Sequence, residues 1–189
     1  NEALWSYHNI HGIYYVTQGE AEQALAHDAE MVGIFENDIK YLEDNLEKYV
    51  GALNNLALDY LDLKDAEKYN ELRERIRALP DKYPKADTTI RGKIFETDFN
   101  LQMDFFFAER MFDEGLALIP EVKNGLEVYE PVLVEDFKVD LMYACSRMLF
   151  FSGKLDEAQD WISKIIYIDH PDSVDETMCF ARMLNLMIH

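Results

Sequence analysis

A short spacing recurs along this chain and limits what it can fold into. In the segment LFFSGKLDEA, Leu149 precedes Gly153 by four residues, and Ala158 follows after five more. Gly favours the left-handed conformation that ends many helices, and Ala allows two helices to approach closely. The segment therefore predicts a helix over 139–151, a turn at Gly153 and a second helix over 155–168, paired as an antiparallel hairpin.

The same spacing occurs near the N-terminus and, in part, twice in between. Tyr15, Gly19 and Ala24 repeat it in full. The two central copies consist of Tyr60, Lys64 and Tyr69, and of Phe106, Arg110 and Gly115. Recurrence of one hairpin pattern predicts an array in which each hairpin buries its apolar stripe on the next.

This pattern resembles the tetratricopeptide-repeat (TPR) family of helix-turn-helix arrays. The family has a small residue at its eighth position, and Gly12, Ala57 and Ser146 match it, whereas Met103 does not. The family also has a small residue at its twentieth position, from which Tyr69 departs. The eighth positions lie 45, 46 and 43 residues apart. The family repeat has about 34 residues, so a HEAT-like array of about 40–47 residues per repeat stays an alternative. The resemblance implies an all-α fold, a right-handed α-solenoid of antiparallel helical hairpins.

The composition agrees with long helices. The 189 residues include only 8 Gly and 5 Pro, which is few for a turn-rich β fold. We expect about nine helices, no strand, and one repeat domain over residues 1–189 that is a segment of a longer protein.

Breaker and capping residues predict several boundaries. The second helix is expected over 20–46, with a break near Gly33, and two prolines predict a loop over 79–85. Ser173 and Glu176 have the spacing of a capping box for the last helix.

The net charge of −19, from 37 acidic and 18 basic residues, repels nucleic-acid phosphates and anionic lipid headgroups. We therefore expect no nucleic-acid partner, and the lack of an 18-residue apolar run predicts no membrane insertion. The acidity is read mainly as a solubility feature, with a basic partner as the alternative. Cys145 and Cys179 both lie among apolar residues, which favours buried thiols in a reducing, cytoplasmic setting, although one disulfide between them stays open.

No catalytic motif occurs in the sequence. Phosphate-binding loops, dinucleotide-binding glycine patterns and the HExxH and GxSxG motifs are all missing. His8 and His11 lie one helical turn apart, but a third metal ligand is missing nearby and His27 is read as isolated. We predict no catalytic residue, no metal site and no cofactor.

In the TPR family, the first helix of each hairpin lines a concave groove that holds peptides. The resemblance places these residues at groove-facing positions: Asn9, Ile13, Asn54, Leu58, Asn100, Asp104, Phe107, Tyr143, Arg147 and Phe150. The asparagine amides offer both a donor and an acceptor to an extended peptide backbone. Arg147 alone is not the basic clamp with which some family members hold a C-terminal carboxylate, so acidic C-terminal tails are not expected as ligands.

The sequence thus predicts a non-catalytic scaffold that binds a peptide or protein partner through this groove. The first alternative is a self-associating repeat module, a homodimer formed through an uncapped end of the array. The others are a regulatory domain of a longer protein and a helical enzyme or ligand-binding domain with an interior pocket.

Overall fold

The computed structural model describes residues 1–167 and 176–189, and these residues contain eleven α-helices and no strand. The helices are α1 (Glu2–Gln18), α2 (Ala21–Glu36), α3 (Ile39–Asp44), α4 (Leu46–Asp62), α5 (Ala66–Arg77), α6 (Leu79–Lys82), α7 (Thr88–Ala108), α8 (Phe112–Val128), α9 (Glu135–Phe151), α10 (Leu155–Ile166) and α11 (Glu176–Ile188). The predicted all-α class is confirmed. The count exceeds about nine because α3 and α6 have only 6 and 4 residues. Ser173 of the predicted capping box lies outside the described residues.

The chain forms two compact units, Asn1–Leu101 and Gln102–His189. In the first unit, α2 packs against both α1 and α4, and α4 packs against α5. In the second unit, α9 packs against α8, α10 and α11. The expectation of one repeat domain over residues 1–189 stays a prediction. In the described part of the chain, none of the helices has the length and apolar character needed to cross a membrane.

Four turns between helices share one backbone conformation. Their central residues have φ values of 72° at Gly19, 60° at Lys64, 58° at Arg110 and 73° at Gly153. In the first turn the N–H of Glu20 donates to the carbonyl oxygen of Tyr15 at 2.9 Å, and the matching bonds from Asp65, Met111 and Lys154 measure 2.9, 2.8 and 2.9 Å. This bond closes a Schellman motif at the end of each first helix. The predicted repeat is therefore present even where Lys or Arg replaces Gly.

The predicted close-contact positions are buried. Ala24 and Ala158 have no solvent exposure. A Cβ atom placed on Gly115 would lie 2.6 Å from the Sδ atom of Met148, a distance that no Cβ tolerates without movement. Tyr69, the large residue at this position in the second copy, is also fully buried, and its hydroxyl donates to a backbone carbonyl. Small residues thus lie where the helices of a hairpin are in close contact. At the exception, Tyr69, the large side chain is held by a buried hydrogen bond.

Two predicted boundaries need correction. Helix α2 ends three residues after Gly33, because Asp38 starts the separate helix α3 by accepting the N–H of Tyr41 on Oδ1 at 3.0 Å. The predicted loop over 79–85 begins with helix α6. Pro80 lies in the first turn of α6, where its missing N–H costs no intrahelical hydrogen bond.

Candidate functional site

A groove of about 350 Å³ opens on the surface of the second unit, between the end of α7, helix α9 and helix α11. Eight of its nine lining side chains are aromatic or aliphatic, and the ninth is Arg147. Helix α7 contributes Phe107, α9 contributes Tyr143, Phe150 and Phe151, and α11 contributes Phe180, Met183, Leu184 and Met187. An apolar groove with few polar groups is the usual form of a ligand-binding site.

Ring packing holds the walls of the groove in place. The ring of Phe151 stacks on that of Phe112, with centroids 5.8 Å apart and planes 10° apart, and meets the ring of Phe107 at 5.3 Å. On the other side, the rings of Tyr143 and Phe180 lie 6.4 Å apart with planes 17° apart. Such contacts restrict the rings and leave a preformed aromatic surface.

Arg147 is tied into the groove by an ion pair and by two rings. Its Nη2 donates to Oδ1 of Asp104 at 2.9 Å. Its guanidinium lies 4.3 Å from the ring centroid of Phe107 and 5.4 Å from that of Tyr143. Burial raises the pKa of Asp104, and the Arg147 charge acts in the opposite direction. Because Asp104 balances Arg147, the groove offers an apolar surface with a neutralised charge pair at its side.

Half of the predicted groove residues meet at this site. Phe107, Tyr143, Arg147 and Phe150 line the groove, and Asp104 joins them through Arg147.

The other five predicted residues lie in the first unit. Asn9 and Ile13 are on α1, Asn54 and Leu58 are on α4, and Asn100 is on α7. All keep some solvent exposure, and Ile13 is exposed over 55% of its surface. Their part in peptide binding stays a prediction.

The sequence reasoning missed the wall formed by α11. Phe180, Met183, Leu184 and Met187 follow the i, i+3, i+4, i+7 spacing of one helical face. That spacing was available as a signal, but the repeat pattern assigns groove positions only to the first helix of each hairpin. The two methionines add flexible apolar surface that adapts to different ligand shapes.

A histidine cluster corrects the reading of His27 as isolated. Nδ1 of His8 lies 3.0 Å from Nδ1 of His27, and the ring of His11 lies 5.1 Å from that of His27. Burial, followed by the charges of His8 and His11, lowers the pKa of His27. Among the described residues no group of three or more His, Cys, Asp or Glu side chains is arranged to hold a metal ion. The cluster joins α1 to α2.

Both cysteines are free thiols, and only one of them is buried. Burial raises the pKa of Cys145 to about 12, so this thiol stays protonated. Cys179 is exposed, which corrects the prediction that both are buried. Helix α11 packs against α9 and α10 through a face that contains Met178, Ala181 and Leu184. Cys179 is on the same helix but outside this face, and it is therefore exposed.

The chain shares its fold with a solved repeat structure. A crystal structure from Podosopora anserina, described as putative kinesin light chain nearly identical TPR-like repeats, superposes with a TM-score of 0.67 at 14% identity. The match covers 98% of this chain and 84% of the other. The protein has a TPR-like fold. At this identity the match establishes the TPR-like α-solenoid architecture and favours it over the HEAT-like alternative, and it carries no information on ligands. No protein-family model and no curated protein sequence matches the chain.

Proposed function

We propose that this TPR-like protein is a non-catalytic interaction module that binds an apolar segment of a protein partner in the groove between α7, α9 and α11. The observation that carries the proposal is the convergence of eight aromatic and aliphatic side chains around one open groove. TPR-like repeats commonly mediate protein–protein interaction, because their helical faces form extended binding surfaces.

The charge of the surroundings narrows the class of partner. Residues 102–189 contain 17 acidic and 7 basic residues, whereas the groove's own charged group is paired with Asp104. An apolar segment flanked by Lys or Arg would bury its apolar side chains in the groove, and its cations would be attracted by the net negative charge of the unit. We therefore propose a partner segment with an apolar centre and basic flanks.

The remaining expectations are part of the same proposal. The large negative charge supports a protein partner over a nucleic acid. The two free thiols support a reducing, cytoplasmic setting.

Selection from a displayed library of random dodecapeptides tests the proposal. We expect the enriched peptides to share a short apolar core with Lys or Arg on its flanks. Their affinities are then measured by fluorescence anisotropy against two variants on α11. Met187→Glu places a charge in the groove, and Leu186→Glu places the same charge on the neighbouring residue outside it.

Both positions are exposed, at 63% for Met187 and 76% for Leu186, so both variants should fold. We expect Met187→Glu to weaken binding by about tenfold or more, the equivalent of about 1.4 kcal/mol, and Leu186→Glu to change it by less than about twofold. Equal binding by the two variants, or enrichment of acidic peptides, contradicts the proposal.

A further inference from the structure

Helix α1 is apolar on nearly all sides but is covered on only one. Gly12 is its only residue that is buried. Six large apolar side chains are exposed over 51–64% of their surface, namely Leu4, Tyr7, Ile10, Ile13, Tyr14 and Val16. A helix that is apolar all round is normally buried on several sides.

Three of these side chains form a narrow seam. Tyr7, Ile10 and Tyr14 follow a spacing of three and then four residues, which is the a/d pattern of helices that pair side by side. At about 100° per residue, the seam lies on the side of α1 opposite to Gly12, where α1 meets Asp28 of α2. The ring of Tyr7 also lies 6.0 Å from that of His27 on α2, but each of the three side chains keeps 51–64% of its surface exposed to a second helix.

The charge pattern favours a second copy of the chain as that partner. Residues 3–19 contain no Asp, Glu, Lys or Arg, although 55 of the 189 residues are charged. Two molecules of net charge −19 repel each other when their acidic surfaces meet. The uncharged face of α1 lets two copies approach without opposing charges, and a self-complementary apolar surface is what a two-fold dimer requires.

We propose that the protein forms a symmetric homodimer in which the Tyr7–Ile10–Tyr14 seam of α1 packs against the same seam of a second copy. Burying the three seam side chains of both helices removes on the order of 700 Å² from water, well below the roughly 1,200 Å² at which stable interfaces begin. The dimer should accordingly be reversible and concentration-dependent. This proposal concerns a different surface from the groove of the second unit.

Sedimentation velocity over a range of protein concentrations tests the dimer. The wild type should shift from monomer to dimer and stop there. Ile10→Glu, at a position exposed over 64% of its surface, should remain a monomer at concentrations at least about tenfold higher. Leu186→Glu, on the exposed face of α11, should dimerise like the wild type, and equal circular dichroism spectra confirm that all three chains are folded.

Growth beyond a dimer, or loss of association in Leu186→Glu, would assign the contact to an open-ended pairing of α1 with α11 and overturn the proposal. A wild type that stays monomeric throughout the range would overturn it as well.

Cross-linking locates the contact. Ile10 is the midpoint of α1 (Glu2–Gln18), so in a two-fold pair centred on this helix the two Ile10 side chains face each other in either orientation. In a Cys179→Ser background, which removes the exposed native thiol, Ile10→Cys should form a disulfide-linked dimer under mild oxidation. Leu186→Cys in the same background should form no disulfide-linked dimer. A disulfide-linked dimer of Leu186→Cys but not of Ile10→Cys overturns the assignment to α1. The groove variant Met187→Glu should dimerise normally, which keeps this test separate from that of peptide binding.

Discussion

The contact between Gly12 and Asp28 shows how one missing methyl group sets the distance between α1 and α2. A Cβ atom on Gly12 would lie 2.5 Å from Oδ1 of Asp28, which is only 3% exposed. We predict that Gly12→Ala lowers the free energy of unfolding by about 1–3 kcal/mol, because the buried carboxyl must move. Gly51→Ala, in α4 with no atom within 4 Å of the new methyl group, should raise it by about 0.5–1 kcal/mol. Urea denaturation measures both, and a gain in both variants contradicts the close contact.

The same Asp28 belongs to a buried pair of carboxyl groups. Asp28 and Asp59 are 3% and 4% exposed, and each carboxyl group shifts the pKa of the other. Burial raises the pKa of Asp28 to about 6, with the hydrogen bond to Asp59 acting in the opposite direction. Burial, the charge of Asp28 and their hydrogen bond raise the pKa of Asp59 to about 8. The pair therefore holds a proton that the unfolded chain would release near pH 4.

This proton makes the stability of the first unit depend on pH. Because the folded pKa of Asp59 is raised, its favourable contribution is present below the unfolded pKa and is lost as pH rises towards about 8. We predict that Asp59→Asn, which imitates the protonated acid, gains stability relative to the wild type as pH rises from 5 to 8.5. The gain over this range should be at least about 1.4 kcal/mol, the equivalent of one pKa unit.

Urea denaturation at both pH values measures the effect. Glu47→Gln, an exposed change on the same helix, is the matched control and should follow the wild type. A parallel loss of stability in Asp59→Asn from pH 5 to pH 8.5 would show that the pair does not share a proton.

At the scale of helices and turns, the left-handed backbone conformation between hairpin helices costs more free energy at a residue with a side chain than at glycine. Lys64 adopts φ of 60° where Gly19 has 72°, and a side chain in this conformation costs about 1–2 kcal/mol. We predict that Lys64→Gly raises the free energy of unfolding by about 0.5–1 kcal/mol and that Gly19→Ala lowers it by about 1 kcal/mol. Thermal unfolding followed by circular dichroism gives both values. The same sign for the two substitutions would rule out a common turn geometry.

These turns also show what the sequence could predict. The Schellman turn depends on residues within six positions of each other, so the spacing located it even at Lys64 and Arg110. The groove depends on which helix lies beside α9 in space, and the hairpin pattern contains no information on that. Half of the predicted groove residues therefore converge at the second unit, while the wall formed by α11 was missed.

Across the whole molecule, the two proposed binding surfaces differ in the charge of the residues around them. The dimer seam lies in a stretch without charged residues, on a protein of net charge −19. The groove lies in a unit with 17 acidic and 7 basic residues, which favours a partner with basic flanks. Salt screens charges beyond about 10 Å at 0.1 M. It therefore weakens the repulsion between two copies and also weakens the attraction between the acidic unit and a basic peptide.

We accordingly predict opposite responses to sodium chloride. Raising its concentration from about 50 to about 500 mM should tighten the homodimer several-fold and weaken binding of a Lys- or Arg-flanked peptide by about tenfold. Sedimentation velocity measures the first change and fluorescence anisotropy the second. In Ile10→Glu, the peptide response should persist without the dimer. In Met187→Glu, the dimer should still tighten while peptide binding stays weak at every salt concentration. A dimer that dissociates as salt is added would require ion pairs at its interface, which an α1 seam without Asp, Glu, Lys or Arg does not supply.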